Sequence, residues 1–172
     1  MQDIEPDFSR ILRDLESSQV RYVLIGGLAM VAHGSAQVTV DLDISYARDP
    51  DNLNRLAEAI KKHQPTLRDA PEGLPFIFDS RTLRDIVNLT LSTDAGEIDL
   101  LSEPAGVASF EELWDRSVSM DLFGVTVAVA GLDDLIAMKK AANRPKDRNH
   151  LLELQALKRG PLEINRDDKP NP

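Results

Sequence analysis

The sequence contains no cysteine. That excludes a disulfide framework and any thiolate metal site, and it fits a reducing cytoplasm. Long hydrophobic runs are missing too. No stretch approaches the roughly 20 apolar residues that a membrane-spanning helix needs, so no membrane contact is expected. The N-terminus, MQDIEPDFSR, carries acids and lacks the apolar core of a secretory signal. Positive charge is in short supply: 20 Lys and Arg stand against 29 Asp and Glu, for a net charge of −9. So acidic a chain does not coat nucleic acid non-specifically, and any such contact needs a local basic patch. Internal repeats and low-complexity segments are absent.

What remains is a globular composition, 42% hydrophobic and 28% charged. The 172 residues suffice for one domain around one core. We expect that domain over residues 1–160, followed by a charged, proline-bearing and flexible tail over 161–172.

Periodicity places the elements. Phe8 to Ser17 has helical spacing, with Phe8, Ile11, Leu12 and Leu15 on one stripe. Val20 to Ile25 is a buried strand ended by Gly26-Gly27. Leu28 to His33 is a short apolar helix closed by Gly34. Val38 to Tyr46 is a second strand. Asp51 to His63 is amphipathic, and Asp49-Pro50-Asp51 supplies its start signal. Gln64 to Pro75 reads as a loop, Phe76 to Phe78 as a short strand, and Thr82 to Val87 as a short helix. Asn88 to Leu91 and Glu97 to Leu101 form a hairpin, as do Val118 to Leu122 and Val125 to Val129. Ser109 to Trp114, Leu132 to Ala142 and Lys146 to Leu157 are helices. Helix and strand alternate early and hairpins follow, which predicts a mixed α/β fold around one sheet.

Two aspartates, Asp41 and Asp43, interrupt an otherwise apolar strand. At i and i+2 their carboxylates share one face, while Leu42 and Ile44 face the core. Burying two adjacent carboxylates unpaired is costly, and a divalent cation relieves it. Mg²⁺ takes oxygen ligands, commonly one or two carboxylates plus substrate phosphates. A third acid, Asp99, interrupts the strand GEIDLL, and Glu97 shares its face as a reserve ligand. Three acids on one face can hold two metals about 3.5–4 Å apart for phosphoryl transfer. Gly26-Gly27, between strand and helix, lets backbone N–H groups approach a phosphate. Lys139, Lys140, Arg144, Lys146 and Arg148 are the densest basic cluster, suited to a phosphate tail or an RNA acceptor. Asp147 is expected to pair with Arg144 or Lys140.

Ile25-Gly26-Gly27, a gap of thirteen residues, then Asp41-Leu42-Asp43-Ile44 resembles the polymerase β-type nucleotidyltransferase superfamily. GGLAMVAHG, the threonine of VTVDLDI, and LIAMKKAANRPKDRNHLLEL are similar to a small bacterial branch. That branch includes abortive-infection type toxins of toxin–antitoxin systems, among them enzymes that modify tRNA ends. The resemblance spans residues 20–158. It implies the nucleotidyltransferase fold, a mixed sheet flanked by helices. It further implies transfer of NMP from an NTP to an acceptor hydroxyl, with release of pyrophosphate. Asp41, Asp43 and Asp99 become the catalytic and metal-binding set, holding Mg²⁺ in a two-metal site, with Mn²⁺ as the alternative ion. Gly26, Gly27, Thr39, Lys139, Lys140 and Arg144 become nucleotide contacts. The acceptor is left open among tRNA or other RNA, protein and small molecule. A cognate antitoxin or a second copy of the chain is the expected partner, since the short last third leaves half of an acceptor cleft unaccounted for.

One position departs from that pattern. Many relatives carry arginine two residues before the threonine; here it is Gln37, which cannot offer phosphate a charged fork. This supports an alternative reading, a catalytically degenerate nucleotide-binding or regulatory module paired with a partner protein. A further alternative is an Asp-x-Asp phosphatase, loosely similar to Asp41-Leu42-Asp43-Ile44-Ser45, with Asp41 as nucleophile. For His33 the favoured reading is local packing at a helix end, and for Trp114 it is core packing.

Overall fold

The computed structural model describes residues 6–71 and 73–160. The tail expected over 161–172 lies outside them. The first helix, α1 (Phe8–Ser17), buries Phe8, Ile11, Leu12 and Leu15, the stripe that its spacing predicts. Strand β1 (Tyr22–Ile25) is buried at all four positions. Helix α2 (Gly26–Ala32) follows without a break, and β2 is Asp41–Tyr46. Helix α3 (Pro50–Lys61) starts on Asp49, whose carboxylate accepts from the Asn52 N–H at 2.9 Å, with Pro50 at its first position. Strand β3 (Thr66–Leu67), α4 (Ser80–Asp85), β4 (Asn88–Thr93) and β5 (Gly96–Leu101) come next. Helix α5 (Phe110–Arg116), the hairpin β6 (Val118–Leu122) and β7 (Val125–Val129), α6 (Leu132–Ala142) and α7 (Asp147–Arg159) complete the described residues.

Among the described residues, seven strands form one mixed sheet in the order β3-β4-β5-β2-β1-β7-β6, the expected α/β architecture. β2 is antiparallel to β1 and parallel to β5. A parallel pair cannot be closed by a tight turn, so the long crossover between β2 and β5 holds α3, β3, α4 and β4. Alternation then sorts the central strands. Leu42, Ile44, Ile98 and Leu100 are all 0% exposed on one side. Each contributes about 1.5–3 kcal/mol by leaving water. The acidic positions of the same strands take the opposite face.

Several boundaries differ from the sequence reading, each for a local reason. β2 begins at Asp41 and not at Val38, because residues 35–37 are tied to α7. The Ser35 hydroxyl and the Gln37 side-chain amide donate to the Glu153 carboxylate at 2.7 Å each, and the Ala36 N–H does so at 3.2 Å. Val38 and Val40 are left 91% and 62% exposed. Phe76 to Phe78 is not a strand. The outer edge of β4 is taken instead by β3, inside the stretch read as a loop. α4 starts two residues early because Asp79 caps it, accepting from the Arg81 and Thr82 N–H groups. α2 starts at Gly26, so both glycines belong to its first turn.

Candidate active site

β2 and β5 pair with Asp41 opposite Glu97 and Asp43 opposite Asp99. Two parallel strands in this register set four carboxylates as a square on one face of the sheet. One oxygen from each of Asp41, Asp43 and Asp99 lies within 4.8 Å of the others. Burial, reinforced by the charges of Asp41 and Asp99, pushes the Asp43 carboxyl up to about 7. A hydrogen bond from the Gly27 backbone and the Lys139 charge oppose this. Burial also raises Asp99, against the pull of Arg68.

The glycines make room for this cluster. Gly26 has φ +67, and a Cβ there would lie 2.0 Å from Asp43 Oδ2. A Cβ on Gly27 would lie 2.7 Å from Thr39 Oγ1. The Thr39 hydroxyl is 3.1 Å from both the Asp41 main-chain oxygen and Asp41 Oδ1. Thr39 therefore contacts Asp41 directly and orients its carboxylate. The sequence reading gives the glycine pair to phosphate. In the structure its first service is to let Asp43 and Thr39 pack against the start of α2.

Across from the acids stand two cations held by a third acid. Asp147, 1% exposed at the start of α7, lies 3.2 Å from Lys139 Nζ and 2.9 Å from Arg144 Nε. It also accepts from the Arg144 N–H at 3.0 Å. Burial alone would raise this carboxyl. The hydrogen bonds from Arg144 and Lys139 hold it well below the usual carboxylate range. The same hydrogen bond raises Arg144. The partner of Asp147 besides Arg144 is thus Lys139, not Lys140. Consecutive helix residues point about 100° apart, and Lys140 is exposed and does not line the cavity.

A cavity of about 330 Å³ joins these groups. Gly26, Asp43 and Asp99 form one wall, Lys139 and Arg144 another, and Leu135 and Met138 add apolar surface. Asn88 and Glu103 also line it, and the Glu103 carboxylate is 3.1 Å from Arg48 Nη1. The donor set is all oxygen, with three carboxylates close enough to share one ion. That chemistry fits a hard divalent cation such as Mg²⁺.

Two residues of the site escape the sequence reading. Arg68 reaches Asp99 Oδ1 at 2.6 Å and Glu97 Oε2 at 3.2 Å, so the reserve ligand Glu97 is already engaged. Nothing local marks it, because it stands in the polar, proline-rich stretch after α3. Glu153 is the other, the anchor of the segment that leads to Thr39. Gln37 is committed to it rather than to the cavity. His33 and Trp114 behave as ordinary structural residues. His33 closes α2 with its ring 2.8 Å from the Ala130 oxygen. Trp114 packs on the core beneath the Arg21 guanidinium, which lies 5.2 Å from the ring centre.

The model of the family described as "Nucleotidyltransferase of unknown function (DUF6036)" matches residues 2–164. Among curated proteins, none matches the sequence. Solved structures with a similar fold include the lincosamide antibiotic adenylyltransferase LnuA with lincomycin bound. It is 15% identical, with 88% of this chain and 96% of that one covered, at a TM-score of 0.59. ANT(2'')-Ia in complex with adenylyl-2''-tobramycin is 13% identical, with 86% and 83% covered, at a TM-score of 0.54. A Thermotoga maritima protein is 13% identical, with 86% and 89% covered, at 0.55. At these identities the likeness shows the fold. Among the described residues, no helix is long and apolar enough to cross a membrane.

Proposed function

As the chain belongs to this nucleotidyltransferase family, we propose that its cavity takes an NTP and transfers the NMP to an acceptor hydroxyl, releasing pyrophosphate. One observation carries the reading: Asp43 and Asp99, with Asp41 beside them, face Lys139 and Arg144 across a single cavity. Asp41, Asp43 and Asp99 would hold Mg²⁺ or Mn²⁺, which supplies Lewis-acid neutralisation of the phosphate oxygens. Lys139 and Arg144 bind the β- and γ-phosphates, and Asp147 keeps both cations aimed at them. Asp99 accepts the proton of the acceptor hydroxyl. The hydroxyl oxygen bonds to the α-phosphorus, the bond to the bridging oxygen breaks, and its electron pair leaves with pyrophosphate. Leu135 and Met138 hold the nucleoside by apolar contact.

The exposed Lys140, Lys146 and Arg148 beside the cavity support an RNA acceptor, tRNA included, and with it a toxin role and a cognate antitoxin. A second reading is a small hydroxylated acceptor. The cavity of about 330 Å³ has room for one, and solved structures of this fold hold lincomycin or an adenylylated tobramycin. The test is incubation of the protein, Mg²⁺ and each α-³²P-labelled NTP with total RNA, lysate protein, and panels of lincosamides and aminoglycosides. Label on RNA that disappears with Asp41→Ala supports the first reading. Label on an antibiotic alone supports the second. Absence of label on every acceptor, with nucleotide still bound, defeats transfer and favours the degenerate module.

A further inference from the structure

Four strands carry one row of residues across the sheet. Asp43 on β2 is opposite Asp99 on β5, and Asp99 is opposite Thr90 on β4. Leu67 of β3 is opposite Leu91, and the next N–H, that of Arg68, donates to the Thr90 oxygen at 3.1 Å. Arg68 therefore ends the row at the sheet's edge, with only Thr90 between it and Asp99. Threonine is small, and the guanidinium reaches over it to the acids. Its Nη2 lies 2.6 Å from Asp99 Oδ1 and its Nε 3.2 Å from Glu97 Oε2. The Arg68 and Asp99 side chains are 18% and 20% exposed.

The contact is close but poorly directed. Arg68 Nε and Asp99 Oδ1 are both buried with no well-formed hydrogen bond. A bidentate fork on one carboxylate would satisfy these atoms. Here the guanidinium is shared between two carboxylates two residues apart on β5. Charge holds it there, because four carboxylates share this face, and its Nη2 also donates to the Leu91 oxygen at 3.5 Å. A divalent ion seeking Asp99 meets a cation already at that oxygen.

We propose that Arg68 is the resident counter-cation of the site, competing with the divalent metal for Asp99 Oδ1. Metal entry shifts the guanidinium wholly onto Glu97. The backbone of Arg68 stays fixed on Thr90, so the exchange is a side-chain swing. Glu97 is the residue that receives it. The two ligands of Asp99 thus exclude each other, which is negative coupling through one oxygen. Arg68 is accordingly a positioning residue that sets how much metal the enzyme needs. This inference rests on the metal-binding reading of Asp41, Asp43 and Asp99.

Mn²⁺ binding to the nucleotide-free full chain, followed by the loss of the free-ion electron paramagnetic resonance signal, tests it without any activity readout. Arg68→Gln is expected to tighten Mn²⁺ by about tenfold, within the usual range of site-to-site coupling. Glu97→Gln is expected to weaken Mn²⁺ in the native background and to have little effect in the Arg68→Gln background. An unchanged or weaker Kd in Arg68→Gln overturns the proposal, as does an equal effect of Glu97→Gln in both backgrounds. If Arg68→Gln fails to fold, Arg68→Met tests the same point. It keeps an apolar stem without the charge, so its Kd must also fall below the native value. Asp43→Asn separates the two levels of inference. Saturable binding that Asp43→Asn abolishes and Arg68→Gln leaves alone defeats only the counter-cation. No saturable Mn²⁺ binding by any form defeats the metal site itself.

Discussion

Gly26 and Asp43 occupy each other's space: a Cβ on the glycine would stand 2.0 Å from Asp43 Oδ2. The φ of +67 adds a second obstacle, since side-chain-bearing residues lose about 1–2 kcal/mol in that conformation. Gly26→Ala should therefore displace the Asp43 carboxylate, lowering transfer at least about 100-fold, as a misplaced catalytic group does. Calorimetric Mn²⁺ titration beside the transfer assay checks it. Native metal affinity in Gly26→Ala would contradict the contact.

The proposed role of Asp43 sets function against stability. Its folded-state pKa is raised to about 7 from 3.8, so the folded chain binds more protons than the unfolded one between those values. Stability of the metal-free protein then falls as pH rises from about 4 to 7, and stays lowered above that. Asp43→Asn removes the charge and should raise the Tm at pH 8, by about 2–4 °C per kcal/mol relieved. At pH 4 the gain should vanish. Transfer should be lost in the same variant, by about 10³-fold or more. Thermal melts at the two pH values, without metal, measure the first effect.

Activity should show the same titration with the opposite consequence. A protonated Asp43 cannot ligate metal, so at limiting Mg²⁺ the rate should fall as pH drops through about 7. More Mg²⁺ competes with the proton and should move that limb to lower pH. Rate profiles at two Mg²⁺ concentrations decide the matter. A limb that ignores the metal would assign it to another group.

Lys139 and Lys140 are neighbours with different surroundings, and their variants should differ. Lys139→Ala removes a cation that lines the cavity and pairs with Asp147. We expect KM for the NTP to rise about tenfold or more, the loss of one charge-assisted contact. Lys140→Ala should leave KM for the NTP within about twofold of native, as exposed substitutions usually cost little. Equal effects from both would point to a general electrostatic role.

Asp147→Ala should act through those cations. It strands Lys139, whose side chain is 12% exposed, without its buried partner. Breaking a buried pair from one side costs about 3–5 kcal/mol, toward the low end here because Arg144 is half exposed. Denaturant midpoints give the stability loss. Asp147→Asn keeps the shape, and with it KM for the NTP should rise while the fold is retained.

Elements with a local cause were legible in the chain alone. The stripe of α1, the Asp49-Pro50 start of α3, and the alternation that separates Asp41 and Asp43 from Leu42 and Ile44 all follow from neighbours within a few residues. The glycine pair and Asp-x-Asp were legible for the same reason, because a strand's alternation and a turn's steric demand are written in consecutive positions. Which acids meet, and which cations stand beside them, depends on contacts between distant segments. Asp99 joins Asp41 and Asp43 through the parallel register of β2 and β5, strands about fifty residues apart in the chain. Arg68 directly follows an edge strand of two residues, too short to leave a periodic signal. Lys139 rather than Lys140 faces the cavity because the packing of α6 against α7 fixes the rotation of the helix, and nothing in a pair of identical side chains can encode that.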